Sequence, residues 1–478
     1  MQQVKKQYGI WTGIAMVIGI VIGSGVFIKA SGVLSKTGGD LKLSLLAWLV
    51  GGIIMITSGF CFAVFATKVR RFNGVVDYVE AATNKKVGYF IAWTMTTLYY
   101  PIITSIVAIF AGHYFFRMFG VSYWYGDWQV LLFAFVFITL SVLLNYYSPK
   151  LSAKFQVSAT AIKLVPIAVI VVVGLLASLI IGPDVGIINA FKTSAENMDG
   201  VSKNFGAAVT TTAFAYEGWV CATSINAELK DSKKTLPKAL VFGTIAILVF
   251  YILYYAALSA VLGNGGVIEA GSDAPVVVFE KIFGSVGGIL FTLFITISCM
   301  GTVNGLVISS CRGMYTLSCR GQGICPKKFS KLSANGSTSF WSCVYGYACT
   351  MIILALWALI FNNDWFLAKF GALDELVCAI IYAVYITMYV CIIRKFKDVG
   401  VFKRFVMPII AIIGASFFTI CGTGLFTLIT TGSTTGLVNF AFFLILFAIF
   451  VVPSIFFYRK DAEPLTADVN FDEDDAIE

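Results

Sequence analysis

The sequence predicts an all-α membrane protein of 12 transmembrane helices, and three observations predict it. Of 478 residues, 59% are hydrophobic and only 12% charged, with mean hydropathy +0.88. Soluble domains carry about 25% charged residues, so this chain lacks the polar side chains to cover a globular core. Its apolar residues collect in runs long enough for helices of about 20 residues to cross roughly 30 Å of hydrocarbon. Its basic residues fall mostly on one side of those runs.

The runs are 9–34, 43–66, 87–118, 128–145, 157–181, 205–227, 238–262, 286–311, 340–361, 371–393, 405–424 and 437–458. No small-residue cleavage site follows the first, which reads as a retained span rather than a signal peptide. With the N-terminus in the cytoplasm, twenty-five of the 34 lysines and arginines lie inside. Eight lie outside: Lys29, Lys36, Lys42, Arg117, Lys192, Lys203, Lys281 and Lys369. That bias satisfies the positive-inside rule and puts both termini in the cytoplasm. The net charge of +9 is absorbed by this topology and leaves no nucleic-acid patch. Lys163 is the remainder, inside the fifth span and on neither side.

All eleven cysteines fall in spans or on inner flanks, so a disulfide framework is not expected. With no CxxC pair and one histidine, no metal site or cofactor is expected either. The sequon at Asn335 lies in an inner loop and reads as silent. From Asp461 onward the chain carries eight acids in 18 residues and reads as an acidic, disordered cytoplasmic tail over 461–478.

The first span is interrupted at Ile22-Gly23-Ser24-Gly25-Val26-Phe27. Glycine favours non-helical backbone, which at this depth is tolerated where it lines a cavity; close helix packing is the alternative. The sixth span is interrupted at Phe214-Ala215-Tyr216-Glu217-Gly218-Trp219. A charge at the bilayer centre costs at least about 2.5–3.5 kcal/mol, so Glu217 is expected to face a cavity or a partner unless it lies near an interface. The two breaks stand five spans apart, as in an inverted repeat of two five-helix halves with a binding site at their interface. Opened helix N-termini offer N–H groups to a carboxylate, and opened C-termini offer carbonyls to an ammonium. One site with both suits the α-amino-acid zwitterion.

These residues carry a resemblance. The chain is similar over about 8–460 to the APC superfamily, and within it to the L-amino-acid transporter branch. That branch holds bacterial serine/threonine and alanine/serine/cysteine exchangers and the light subunits of heteromeric transporters. Besides the two breaks, the resemblance rests on Leu46-Ala47-Trp48-Leu49 with Gly51-Gly52, Glu228-Leu229-Lys230 and Leu236-Pro237. It continues with Ser298, Gly301, Asn304-Gly305, Arg312, Arg320-Gly321 and Pro326. It implies a LeuT-type fold of two repeats, about 9–181 and 205–393, with discontinuous helices 1 and 6. Two more helices follow at about 405–458, in a single transporter domain over 1–460.

The resemblance also implies site roles. Backbone N–H groups of Ser24 and Gly25 would meet the substrate carboxylate. Carbonyls of Val21, Phe214 and Glu217 would meet the ammonium, with Ile22, Gly23 and Ala215 completing the opened backbone. Phe214 resembles the aromatic gate. Lys163 looks like the replacement for a sodium ion, linking span 1 near Gly23 to span 8 near Ser298; a proton-coupled role and a lysine snorkelling to an interface are the alternatives. Tyr251 aligns with a family tyrosine nearby.

Departures from the pattern are Ala63-Val64-Phe65-Ala66 at the end of span 2, Arg70 with Asn73-Gly74 beyond it, Lys397 to Arg404, and Tyr99-Tyr100-Pro101, where Tyr100 would re-line the site. The outer loop between spans 3 and 4 has no cysteine, so no disulfide-linked heavy subunit is expected and a bacterial cell membrane fits. His113 reads as an interfacial histidine. Asp374 and Glu375 open span 10 without an evident basic partner. The expected function is sodium-independent exchange of small neutral L-amino acids such as alanine, serine, threonine or cysteine. Proton symport and cationic amino acid transport are the alternatives. No catalytic cluster is present, so an enzyme is not expected.

Overall fold

A computed structural model describes residues 9–69, 74–177, 186–193, 204–220, 223, 231–333, 338–463 and 465. The sequence features at Arg70, Asn73, Cys221, Glu228-Leu229-Lys230 and Asn335, and nearly all of the acidic tail, lie outside them.

The described chain is helical. Helices α1 (Ile10–Val21) and α2 (Gly25–Lys36) are two short rods in place of one long one. Then come α3 (Leu41–Lys68), α4 (Val75–Ala82), α5 (Lys85–Thr94) and α6 (Tyr100–Arg117). α7 (Trp128–Tyr147) and α8 (Pro149–Val169) follow, then α9 (Leu175–Ala177), α10 (Ile187–Lys192) and α11 (Phe205–Ala215). α12 (Ser232–Ala270) and α13 (Ala274–Cys319) are the longest, and α14 (Pro326–Phe329) is a single turn. α15 (Phe340–Phe361), α16 (Asp364–Phe370), α17 (Leu373–Lys395), α18 (Met407–Gly422), α19 (Leu425–Thr431) and α20 (Thr435–Phe450) complete the order.

Among the described residues, 9 helices are long and apolar enough to cross a membrane, against the 12 expected. The difference has two physical sources. The first expected span is two helices of 12 residues each, and the sixth has 11 helical residues before it stops, so neither reaches spanning length unbroken. The seventh and eighth run together over Lys234–Cys319, with helical backbone continuing past kinks at Gly263 (φ 72°) and Gly284 (φ 73°). A left-handed φ is strained for any residue with a Cβ, which is why glycine stands at both kinks.

The membrane solvent is written on the surface. Leu132, Phe135, Val136, Leu140 and Leu143 of α7 and Ile409, Ile410, Ile413 and Ile420 of α18 are exposed, as lipid contact demands. Inside, glycines let backbones meet. A Cβ on Gly52 would stand 2.3 Å from Leu248 Cδ1 and one on Gly301 2.6 Å from Ala159 Cβ, so α3 lies close on α12 and α8 on α13. A π-turn at Met95–Tyr99 joins α5 to α6, and a second at Ile170–Gly174 follows α8. The extra residue in such a turn shifts the side chains beyond it around the helix axis. Here it sets the facing of Tyr99.

One expectation about charge is corrected. Lys29 and Lys36, assigned to the outer side from sequence, sit seven apart on α2 and reach α17. Asp374 and Glu375 are buried at the start of α17, and their basic partners are these two lysines. A burial this deep demands pairing, because an isolated ionised group in a low-dielectric interior is far too costly.

Candidate functional site

The chain leaves α1 after Val21 and re-enters a helix at Gly25. Ile22 departs from helical geometry at ψ 83°, its N–H still bonded to Ile18 O, and Gly23 N–H turns back to Val21 O at 2.7 Å. Ser24 caps α2 with its carbonyl, which accepts from Phe27 and Ile28 N–H at 3.1 Å, and makes no side-chain cap. The first N–H groups of α2, including that of Gly25, therefore have no carbonyl within their own helix, and the positive end of the helix dipole lies there.

α11 ends in the same place. Past Ala215 the backbone turns, with Tyr216 N–H on Thr212 O and Glu217 N–H on Phe214 O at 3.3 Å, and Gly218 takes φ 105°. A Cβ on Gly25 would lie 2.6 Å from Ala215 Cα, so the start of α2 rests directly on the end of α11. On the other side, a Cβ on Gly23 would lie 2.8 Å from Thr302 Oγ1 of α13. The two sequence breaks are thus one place in space, between α12 and α13. Val21, Ile22, Ser24, Phe214 and Ala215 are all buried there.

Tyr251 of α12 ties the breaks together. Its hydroxyl stands 3.2 Å from the Val21 carbonyl and 3.0 Å from the Ala215 carbonyl, bridging the opened ends of α1 and α11. The ring is stacked on Tyr216 at 5.1 Å and lies edge-on to Trp48 at 5.6 Å, while Tyr216 Oη donates to Trp48 O. The expected gate, Phe214, is also buried, with Lys29 Nζ 5.0 Å from its ring centre. Lys29 in turn pairs with Asp374 at 2.8 Å and Glu375 at 2.9 Å. Glu375 Oε2 accepts from Lys36 and from Thr211 of α11, each at 3.0 Å. A charge cluster of α2 and α17 therefore lies next to the gate ring.

Glu217 reaches the π-turn. Its Oε1 accepts from Tyr99 Oη at 2.6 Å, while Oε2 is buried without a hydrogen-bond partner among the described residues. Tyr99, the residue before Tyr100, makes this contact. Lys163 is wholly buried on α8, and its Nζ likewise has no hydrogen-bond partner among the described residues. Ser298 is buried on α13 with its hydroxyl unbonded, and its carbonyl accepts from Thr302 Oγ1. Lys163 lies near Cys299, the next residue along α13. Among the described residues no group of histidines, cysteines and acids could hold a metal ion.

Sequence reasoning missed the cluster of Lys29, Lys36, Asp374 and Glu375 and the contact of Tyr99 with Glu217. The signal for the first was present, as two lysines seven apart on one helix face and two adjacent acids opening an apolar span. Which elements would meet was not.

Comparison with known proteins shows the family. The model of the amino acid permease family matches residues 8–458. The chain is 30% identical to the serine/threonine exchanger SteT of Bacillus subtilis (strain 168) over 427 residues, 88% of this chain and 91% of that one. It is 26% identical to the human cystine/glutamate transporter over 353 residues, 74% of this chain and 68% of that one. Among solved structures, MhsT in complex with L-phenylalanine superposes with TM-score 0.60 at 16% identity, over 87% of this chain and 98% of that one. At that identity the likeness is one of fold.

Proposed function

The chain belongs to the amino acid permease family, a multi-pass membrane transporter rather than an enzyme, and on that footing we propose that it exchanges small neutral L-amino acids without sodium. The observation that carries this reading is the seating of Gly25 on Ala215 beneath Tyr251. It sets N–H groups of α2 that have no carbonyl within their own helix beside the carbonyl ends of α1 and α11. Such a pair of helix ends is complementary to a carboxylate and an ammonium one carbon apart, and indifferent to the side chain between. Substrate carboxylate would take the N–H groups of Ser24 and Gly25. Its ammonium would take carbonyls of Val21, Phe214 and Glu217, with Ile22, Gly23 and Ala215 forming the floor.

The reading takes the fold as 12 spanning helices in two inverted five-helix repeats, about 9–181 and 205–393, with two more at 405–458, in one domain over 1–460. Both termini lie in the cytoplasm of a bacterial inner membrane. Alternating access then moves α1, α2 and α11 between the walls formed by their neighbours, with Phe214 closing over the substrate. Opening past that ring requires the ion pairs of Lys29 with Asp374 and Glu375 to loosen. Lys163, an ammonium in the wall beside Cys299, stands in for a coupling cation, with Ser298 beside it and Tyr251 across the break. Small substrates fit the serine/threonine specificity in the name of the Bacillus relative.

Counterflow in proteoliposomes tests this. Labelled serine or alanine should enter only when unlabelled amino acid is inside, regardless of sodium. Uptake into empty vesicles driven by external acid favours the second reading, a proton symporter, and preferential uptake of arginine favours a cationic one. The Oε2 of Glu217, without a hydrogen-bond partner among the described residues, is the observation behind both.

A further inference from the structure

Between Gly263 and Gly284 the chain folds as a two-armed segment whose tip is the single turn Gly271–Asp273. On the reading of alternating access, this segment serves as a lid. Its tip packs on α2, and its second arm lays Phe279 on Phe291 at 4.4 Å, which meets Phe27 of α2 at 5.8 Å. Asn264 anchors the first arm, its amide donating to Gly39 O and Ala190 O at 2.9 Å. The tip is held by α6 and the loop after it. Tyr114 Oη donates to Ser272 O, and Tyr125 Oη bonds Ser272 Oγ, each at 2.7 Å. Arg117 pairs with Asp273 Oδ2 at 3.1 Å.

His113, the chain's one histidine, completes the cluster. It is buried, and its Nδ1 lies 2.8 Å from the Tyr123 carbonyl. A carbonyl only accepts, so Nδ1 carries a hydrogen, and in the neutral ring Nε2 is then bare. That bare nitrogen faces Asp273 Oδ1 at 3.5 Å, and neither atom has another hydrogen-bond partner among the described residues. Two lone pairs meet there until one proton is added. A proton on Nε2 converts an unfavourable contact into a charge-assisted hydrogen bond. The other groups facing this pair are Arg117 on the same helix, Tyr114, and Tyr125 from the following loop. Lys29 of α2 and Cys299 of α13 lie next beyond Tyr125.

We propose that His113 and Asp273 form a proton-operated latch on the outer lid. External protons bind between them, pin the lid tip to α6, and slow opening of the site to the outside. Arg117 holds the same carboxylate whether or not His113 is protonated, so the latch grades the rate and does not abolish it. Histidine is suited to this because its charge ordinarily changes between about pH 5 and 8. The inference rests on the reading of alternating access with the N-terminus inside.

The test separates the two. Phe279 on the inner face of the lid is replaced by cysteine, and its labelling from outside by an impermeant maleimide is measured in proteoliposomes, with the native cysteines' background subtracted. Phe279→Cys is compared with Phe279→Cys/His113→Phe and Phe279→Cys/Asp273→Asn, so that the thiol's own pH dependence cancels in the ratios. On external acidification from about pH 8 to about pH 5.5, both ratios of double to single variant should rise about threefold or more. The Asp273→Asn pair guards against misfolding of the His113→Phe protein. Equal ratios at both pH values would overturn the latch even if exchange proceeds. A rise in a protein that transports no amino acid would leave the latch standing and remove the transport reading. Counterflow into wild-type vesicles should slow on the same acidification and stay level in Asp273→Asn.

Discussion

Gly25 and Ala215 are 190 positions apart in sequence and in contact in space, so close that a Cβ on the glycine would come within 2.6 Å of the Ala215 Cα. The contact is backbone on backbone, and no rotamer change can relieve it. Gly25→Ala should therefore push α2 off α11. Overpacking of this kind typically costs about 1–3 kcal/mol, and misplacing binding groups by an ångström costs more in rate than in stability. The expected outcome is a folded protein whose counterflow falls at least about tenfold. Gly32→Ala, seven residues further along α2, should be close to wild type, because a Cβ there would meet its nearest neighbour at 3.8 Å.

Tyr251→Phe removes one hydroxyl that bridges the Val21 and Ala215 carbonyls while keeping the ring stacked on Tyr216. A neutral hydrogen bond contributes about 1 kcal/mol net. The melting temperature in detergent should therefore drop by only a few degrees, on the order of the shift expected for that energy. Exchange should fall far more than the melting temperature implies, because the bridge sets the spacing of the two helix ends. Unchanged exchange would remove Tyr251 from the mechanism.

Lys163 carries opposite predictions for stability and transport. Its ammonium is buried without a hydrogen-bond partner among the described residues, a costly arrangement that a methionine of similar length would relieve. Lys163→Met should melt higher than wild type. The same change, or Lys163→Ala, should sharply reduce turnover. Normal exchange rates in Lys163→Met would sink the role given to this lysine.

The cluster beside Phe214 predicts non-additivity. Removing Lys29 alone leaves Glu375 with Lys36 and Asp374 with no basic partner among the described residues, and stranding a buried charge costs about 3–5 kcal/mol. Lys29→Met should melt well below wild type, and Lys29→Met/Asp374→Asn should recover much of that loss. A thermal-shift double-mutant cycle measures it, and simple addition of the two single effects would mean that the pair is not coupled.

Much of the architecture was legible in the sequence because a bilayer punishes polar backbone and charge so heavily. The apolar runs, the breaks at Ile22–Gly25 and at Phe214–Glu217, and the odd position of Lys163 all follow from that one rule. Span count was legible as apolar runs but not as helices. Periodicity cannot see that helical backbone continues past the kinks at Gly263 and Gly284.

The residues themselves determined that helices must open in mid-membrane and that acids and lysines there need partners. Only the tertiary structure decided which partners. Lys29 and Asp374 are read from sequence as an outer-side lysine and an acid without an evident partner, and His113 as an interfacial ring. Packing turned the first two into a buried ion pair and set the third against Asp273. The physical reason is that local sequence fixes where a polar group becomes expensive, while long-range packing alone fixes which other group meets it.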